Sequence, residues 1–263
     1  MEQSFQNRVK QMLRQGRKTA GAWLQIGSPM TAEIMSQARF DWLLIDIEHG
    51  PGDLLTLISQ LQAMKGSGVV PLVRAPWNDF VIIKRILDTG AYGVVIPWVN
   101  TKTQAQAAVQ ACKYPPEGIR GIAISPRAMG FGQNLKPYLT RANDEILIII
   151  QVETREAISN LDEILDVPGI DGIFVGPVDL ATSMGHLADP RHPDVQSAIK
   201  HIETKVLNKK RTLGTVAATW EQAKNLYDRG YQMVTLMADG ASLARLAVEQ
   251  VSKFREAFPD AEK

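Results

Sequence analysis

The hydrophobic positions of this chain fall into eight short and nearly continuous runs. Uninterrupted apolar runs of this length are typical of strands in a parallel sheet that is covered on both faces, whereas half-exposed strands alternate. The predicted strands are residues 20–26, 42–47, 69–74, 93–97, 146–152, 172–176, 212–217 and 232–237.

Stretches in which apolar residues recur at helical spacing separate these runs, as at Leu54, Leu57 and Leu61. Strand–helix units in this number predict an α/β fold, a (β/α)8 TIM barrel that forms a single domain over residues 1–263. An open, doubly wound sheet is the alternative. Because no G-x-G-x-x-G motif follows the first strand, the dinucleotide-binding form of that sheet loses support.

The composition agrees with a soluble enzyme. Hydrophobic residues make up 45% of the 263 positions and the formal net charge is +1, so we expect no partner among nucleic acids or anionic membranes. The single cysteine, Cys112, excludes an intramolecular disulfide and fits a reducing compartment. The polar N-terminus lacks the apolar core of a signal peptide, and no apolar run approaches the ~20 residues of a membrane span. We therefore expect a cytoplasmic protein.

Polar side chains cluster where the predicted strands end. In a barrel these ends meet at one face, which carries the chemistry in enzymes of this architecture. Unpaired carboxylates in a cleft either raise a pKa or recruit a cation, and oxygen ligands favour Mg²⁺ or Mn²⁺, with Co²⁺ or Zn²⁺ as alternatives. The polar residues in question are Asp46, Glu48, His49, Arg74, Gln151, Glu153 and Asp179.

The predicted strands and their immediate ends contain no lysine. An aldolase of the Schiff-base type needs a lysine that points into the barrel, so an aldolase on this chain would depend on a metal.

Each candidate also has a structural interpretation. Glu153 or Asp179 could stabilise the start of a helix. Arg74 could form a structural salt bridge, and His49 could be a hydrogen-bonded loop residue. The residues alone therefore predict a metal-dependent barrel enzyme without a substrate.

Five blocks of the chain resemble the HpcH/HpaI-type metal-dependent aldolases, which include the 2-dehydro-3-deoxyglucarate and 4-hydroxy-2-oxo-heptanedioate aldolases. The resemblance runs from about Gly21 to about Gly240, with the blocks in the same order. The blocks are FDWLLIDIEHGP (40–51), PLVRAPWND (71–79), YPPEGIRG (114–121), ANDEILIIIQVET (142–154) and DGIFVGPVDLATSMGH (171–186).

The resemblance implies a role for each candidate. Glu153 and Asp179 resemble the ligands of a divalent metal. Arg74 resembles the arginine that contacts the keto-acid oxygens. His49 resembles the histidine of the acid–base machinery, with Asp46 as its carboxylate partner.

Three further positions are implied in substrate binding. Gln151 resembles a polar residue beside the metal, and the backbone at Gly176 and Pro177 resembles the wall around the pyruvate carboxylate. The family also implies a homo-oligomer, often a hexamer, in which a helix such as the one predicted near 242–256 is exchanged between subunits.

The implied activity is the reversible cleavage of a 4-hydroxy-2-keto (2-keto-3-deoxy) acid to pyruvate and an aldehyde, through an enolate that the metal stabilises. A related citryl-type lyase or synthase would use the same site, and a barrel that only binds ligands would need no metal. The sequence leaves the aldehyde, the native metal and the stereochemistry at C4 open.

Overall fold

The computed structural model describes residues 5–259. Eight parallel strands follow one another around a closed barrel, in which the first strand is hydrogen-bonded to the last. Closure confirms the predicted barrel and excludes the open sheet. Each predicted strand overlaps an observed one, with ends that differ by at most two residues. The strands are β1 Thr19–Leu24, β2 Trp42–Asp46, β3 Val70–Arg74, β4 Gly93–Ile96, β5 Leu147–Val152, β6 Gly172–Val175, β7 Thr212–Val216 and β8 Met233–Ala238.

Helices connect the strands and surround the barrel. Several of them begin at an Asp or Thr whose side chain accepts the backbone N–H three residues further on, as at Asp53, Asp79 and Thr101. The helices are α1 Arg8–Arg14, α2 Pro29–Gln37, α3 Leu54–Ala63, α4 Phe80–Asp88, α5 Lys102–Cys112, α6 Leu135–Glu145, α7 Arg155–Ser159, α8 Leu161–Leu165, α9 Pro177–Ser183, α10 Pro193–Asn208, α11 Trp220–Asp228 and α12 Asp239–Ala257.

The side chains inside the barrel form one hydrophobic core. A second, larger core lies between the strands and the surrounding helices. Trp42 is fully buried in this interior, and its indole Nε1 donates to Thr19 Oγ1 at 3.0 Å. Gly21 makes room for it, because a Cβ at Gly21 would lie 2.2 Å from the Trp42 ring. The interior is thus a packed core and not a channel.

Helix α1 closes the N-terminal end of the barrel. Lys10 is 3% exposed, and its Nζ lies 2.8 Å from Asp171 Oδ2 and 2.6 Å from the carbonyl oxygen of Ile146. Beside it, the backbone N–H of Asn7 donates to Glu145 Oε2 at 2.7 Å. Buried charges at this end of the barrel therefore have partners.

The segment at residues 114–139, between β4 and β5, is rich in Gly and Pro. It is anchored by the buried Arg120, which donates to Asp88 Oδ1 at 2.8 Å and to the Tyr138 hydroxyl at 3.2 Å. None of its residues lines the pocket at the barrel mouth, so in the described chain it does not cover that pocket.

Helix α12 carries apolar side chains that the single chain leaves in solvent. These include Leu243, Leu246, Val251 and Phe254, all more than half exposed. A contiguous apolar face of this kind marks an interaction surface. Within residues 5–259, no helix combines the length and the apolarity that crossing a bilayer requires.

Candidate active site

A pocket of about 360 Å³ opens at the C-terminal end of the barrel. This volume lies in the range of small-molecule sites. Six of the eight predicted site residues line it, namely His49, Arg74, Gln151, Gly176, Pro177 and Asp179. The other two, Asp46 and Glu153, are buried and hydrogen-bonded to residues of the lining. Apolar lining comes from Trp23, Phe174, Val216 and Met237.

Arg74 is held in place by two carboxylates, one at the end of β2 and one in the turn after it. It ends β3 directly opposite Asp46, the last residue of β2. Two guanidinium nitrogens contact the Asp46 carboxylate at 3.0 and 2.5 Å, and Nη1 lies 3.0 Å from Glu48 Oε2. The guanidinium also lies over the Trp23 ring, 4.5 Å from its centroid. These contacts orient a 5% exposed cation at the pocket wall.

Asp46 bonds to Arg74, and not to the His49 ring that the resemblance implied. Its other hydrogen bonds come from the side chains of Trp23 and Gln25, at 3.1 and 3.3 Å, and from the backbone N–H groups of Glu48 and His49, at 3.0 and 3.2 Å. Burial alone would raise the pKa of Asp46, but the hydrogen bonds and charge of Arg74 outweigh burial and lower it. The turn after β2 brings the backbone N–H of His49 to Asp46 Oδ1, and within residues 5–259 no ion pair joins the His49 ring to that carboxylate.

The His49 ring faces Glu48 instead. Nε2 lies 3.9 Å from Glu48 Oε1, and the imidazole is 63% exposed on the pocket side. Glu48 is mostly buried, and burial, opposed by the charge of Arg74 and reinforced by Asp46 and Asp179, raises its pKa to about 7. The sequence marks Glu48 as one more polar residue at a strand end, but nothing in its spacing predicts this burial.

Glu153 follows β5 and is 1% exposed. Its Oε1 accepts the backbone N–H of Trp98 at 2.9 Å, and its Oε2 is in close contact with Gln151 Nε2. Burial raises the pKa of Glu153 to about 7, and the charges of Asp179 and Glu48 add to this effect. The structural interpretation of Glu153 as a helix cap does not hold, because Thr154 caps α7.

The approach of β6 to Glu153 requires a glycine. A Cβ on Gly176 would lie 2.7 Å from Glu153 Oε2. Helix α9 starts at the next residue, Pro177, and places Asp179 in its first turn at the pocket wall. From this position the charge of Asp179 contributes to the raised pKa of both Glu153 and Glu48.

The donor set at this mouth fits a hard divalent cation. Carboxylates of three residues repel one another here, and Gln151 Oε1 is buried without a hydrogen-bond donor. Oxygen donors in this number suit Mg²⁺ or Mn²⁺. Within residues 5–259, neither Glu153 nor Asp179 belongs to a group of three acidic or imidazole side chains with ligand atoms inside 4.8 Å. A cation held by these two residues would therefore take its other ligands from substrate and water.

Comparison with known proteins identifies the family. The HpcH/HpaI aldolase/citrate lyase family profile matches residues 19–245, which include the whole barrel and its mouth. The chain belongs to this family. It is therefore an enzyme of the carbon–carbon lyase class, as the resemblance of its five blocks to this family implied.

Relatives of known activity and structure agree with this family. The chain is 42% identical over 235 residues to the 5-keto-4-deoxy-D-glucarate aldolase of Escherichia coli (strain K12 / DH10B), covering 89% of this chain and 91% of the relative. A family member from Burkholderia cenocepacia J2315 superposes with a TM-score of 0.91 at 36% identity, over 95% of this chain and 99% of that one. An HpcH/HpaI aldolase from Desulfitobacterium hafniense DCB-2 gives 0.86 at 29% identity, over 94% and 96%.

Proposed function

We propose that this protein is a metal-dependent aldolase that reversibly cleaves a 4-hydroxy-2-keto acid to pyruvate and an aldehyde. The feature that supports this most is the mouth of the barrel, where an oriented arginine faces a group of carboxylates with unbalanced charge. Such a mouth suits a small anionic substrate that arrives together with a cation. The 42% identical relative carries the name of an aldolase for a keto-deoxy aldarate, and we propose 5-keto-4-deoxy-D-glucarate or a close analogue as substrate.

Glu153 and Asp179 would hold the metal, for which Mg²⁺ or Mn²⁺ fits the oxygen donors. When bound there, a divalent ion supplies a Lewis acid that draws electron density from the keto acid. Gln151 lines the pocket next to Glu153 and would hold water or a substrate oxygen with its amide. The backbone at Gly176 and Pro177 would form the wall against the pyruvate carboxylate.

Arg74 would contact the keto-acid oxygen on which negative charge develops as the C3–C4 bond breaks. Asp46 and Glu48 fix its guanidinium before substrate arrives, so little reorganisation remains for the reaction itself. Asp46 is in this view a positioning residue, because its carboxylate is buried and bonded to the guanidinium of Arg74.

His49 would accept the C4 hydroxyl proton in the cleavage direction. The electron pair of the broken C3–C4 bond then moves toward the C2 oxygen, the aldehyde leaves, and a proton delivered to C3 gives pyruvate. Glu48, 3.9 Å from the ring, would stabilise the protonated imidazole. This assigns to Glu48 the role that the resemblance implied for Asp46.

A coupled assay tests the proposal. Metal-replete protein is supplied with 5-keto-4-deoxy-D-glucarate, and pyruvate is detected with lactate dehydrogenase and NADH. We expect turnover that EDTA abolishes and Mg²⁺ or Mn²⁺ restores. Full activity in EDTA would contradict the metal, and failure both to release pyruvate and to condense pyruvate with small aldehydes would contradict the aldolase.

The alternative is a citryl-type lyase or synthase, an activity that the family description includes. It would use the same pocket but require an acetyl thioester or its product. Release of free thiol from acetyl-coenzyme A in the presence of oxaloacetate, without cleavage of keto-deoxy acids, would favour this alternative.

The assembly and the location are further parts of the proposal. We expect a homo-oligomer, such as a hexamer, because a copy that covers the apolar face of α12 would remove it from water. Light scattering should then give a mass well above one chain, and Leu246→Glu with Phe254→Glu should reduce it. A monomeric wild type would contradict the exchanged helix. The single buried Cys112 supports a cytoplasmic location.

A further inference from the structure

The loop between α9 and α10 brings two histidines and an aspartate together outside the pocket. His186, His192 and Asp194 offer ligand atoms that all lie within 4.8 Å of one another. His186 Nε2 is 3.3 Å and His192 Nδ1 is 3.7 Å from Asp194 Oδ2. None of the three lines the pocket at the barrel mouth. We propose that they form a second, surface site that binds Zn²⁺.

Backbone hydrogen bonds already close the loop that carries the two histidines. The N–H of His186 donates to the Ala181 carbonyl at 2.9 Å, and the N–H of Asp189 donates to the His186 carbonyl at 3.0 Å. The N–H of His192 then donates to the Asp189 carbonyl at 3.2 Å. Little chain entropy remains to be lost when an ion binds, because the loop is closed before binding.

The charges favour a cation at this point. The two imidazole rings are stacked with centroids 3.5 Å apart, and a single carboxylate faces both. The N–H of Asp194 donates to His192 Nδ1 at 3.3 Å, which assigns a lone pair to that nitrogen. A metal ion at this position would replace the Asp194 N–H as the partner of that lone pair, with the Asp194 carboxylate as a second ligand.

The donor types distinguish this site from the barrel mouth. Two imidazole nitrogens and one carboxylate oxygen form a set that Zn²⁺ binds with tetrahedral geometry, with water as the fourth ligand. The mouth offers carboxylates, which suit Mg²⁺. For both rings to direct a nitrogen at one ion, one ring has to turn out of the stack. His192 can do so because its side chain is 35% exposed, and Asp194 is 68% exposed and free to follow.

Occupancy would join two helices. Asp194 lies in the first turn of α10, and His186 follows α9, the helix that carries Asp179. An ion between them would clamp the loop after α9 and resist its opening. Zn²⁺ should therefore raise the melting temperature as well as bind.

Calorimetric titration with Zn²⁺, on metal-stripped full-length protein in excess Mg²⁺, tests the site. Excess Mg²⁺ occupies the mouth, so the expected result is one Zn²⁺ per chain beyond it. His186→Gln and Asp194→Asn should each weaken this binding by about tenfold or more, since even a residue that only supports a ligand is worth 10–100-fold. His201→Ala is the matched control, because this exposed histidine lies on α10 outside the cluster, and it should bind as the wild type does.

Two further measurements distinguish the loop site from unfolding and from binding at the barrel mouth. Co²⁺ in place of Zn²⁺ should give the visible absorption of a tetrahedral ion in wild type and in His201→Ala, and not in Asp194→Asn. Asp194→Asn leaves the buried core untouched, so a lost signal there cannot be ascribed to unfolding. In Glu153→Gln with Asp179→Asn, Zn²⁺ binding to the loop should persist even though aldolase activity is lost. Zn²⁺ binding that is unchanged in both loop variants, or absent once the mouth ligands are removed, would overturn the proposal.

Discussion

The two ends of this barrel treat buried charge in opposite ways. At the N-terminal end, Lys10 is matched by Asp171 at 2.8 Å and by a backbone carbonyl. At the C-terminal end, Arg74 pairs with Asp46 and Glu48, and burial together with neighbouring carboxylates raises the pKa of Glu48 and of Glu153 to about 7. Matched charges support the fold, while unmatched ones are tolerated where a ligand supplies the missing charge. This difference distinguishes charged residues that stabilise the barrel from charged residues that are available to bind a ligand.

The largest expected effect comes from removing the unmatched charges. Glu153→Gln with Asp179→Asn should reduce metal-dependent turnover by about 10³-fold or more, because Lewis-acid stabilisation is worth several kcal/mol. The melting temperature of the metal-free protein should stay the same or rise, since repulsion is relieved. Turnover under saturating Mg²⁺ and calorimetry in EDTA measure the two effects. Activity above a tenth of wild type would show that these residues do not hold the metal.

Removing a matched charge at the N-terminal end of the barrel should lower stability and leave turnover unchanged. Lys10→Met leaves Asp171 in a mostly buried position without its cation, and breaking a buried pair costs about 3 kcal/mol of unfolding free energy. Turnover of the folded fraction should be unchanged. Denaturant unfolding provides the measurement, and Lys10→Met with Asp171→Asn should recover part of the loss. A catalytic defect at full stability would contradict the division between the two ends.

Arg74 both pairs with buried carboxylates and faces the pocket, so its replacement should affect stability as well as activity. Arg74→Ala should lower kcat/KM more than tenfold, as a lost charge-assisted hydrogen bond is worth about 1.5–3 kcal/mol. It should also destabilise the fold, because Asp46 would remain buried without its partner. Arg74→Lys keeps the charge and separates the two effects, since it should restore stability more than activity. Retention of more than a tenth of wild-type kcat/KM in Arg74→Ala would contradict its role.

The smallest expected effect is a pH dependence of stability without metal. The pKa values of Glu48 and Glu153 in the folded protein, about 7, lie above the ordinary value of 4.5. A raised carboxyl pKa contributes stability that is fully present below about pH 4.5 and is lost as pH rises through 7. The melting temperature in EDTA should therefore fall between pH 5.5 and 8, beyond any change in Glu48→Gln with Glu153→Gln. Mg²⁺ should remove this fall, and a flat profile without metal would contradict the raised pKa values.

The pattern of apolar runs predicted all eight strands to within two residues. A strand that is buried on both faces consists almost entirely of apolar residues, and such a run is visible within a single segment of the sequence. Because the C-terminal ends of parallel strands meet at one barrel face, the sequence also predicted that the polar residues at these ends lie close together. It did not predict which of them pair. Asp46 is a neighbour of Arg74 because of the register between β2 and β3. That register relates two residues that are 28 positions apart in the sequence.

The sequence by itself therefore determined the barrel, its family and the residues at its mouth, because periodicity and motifs are read within one segment. Only the tertiary structure decided that Asp46 bonds to Arg74, that Glu48 faces His49, and that Trp98 donates to Glu153. The same holds for the cluster of His186, His192 and Asp194, whose ring stacking depends on how the loop closes. Burial and hydrogen-bond partners, which set charge and pKa, arise from contacts between segments that sequence spacing does not specify.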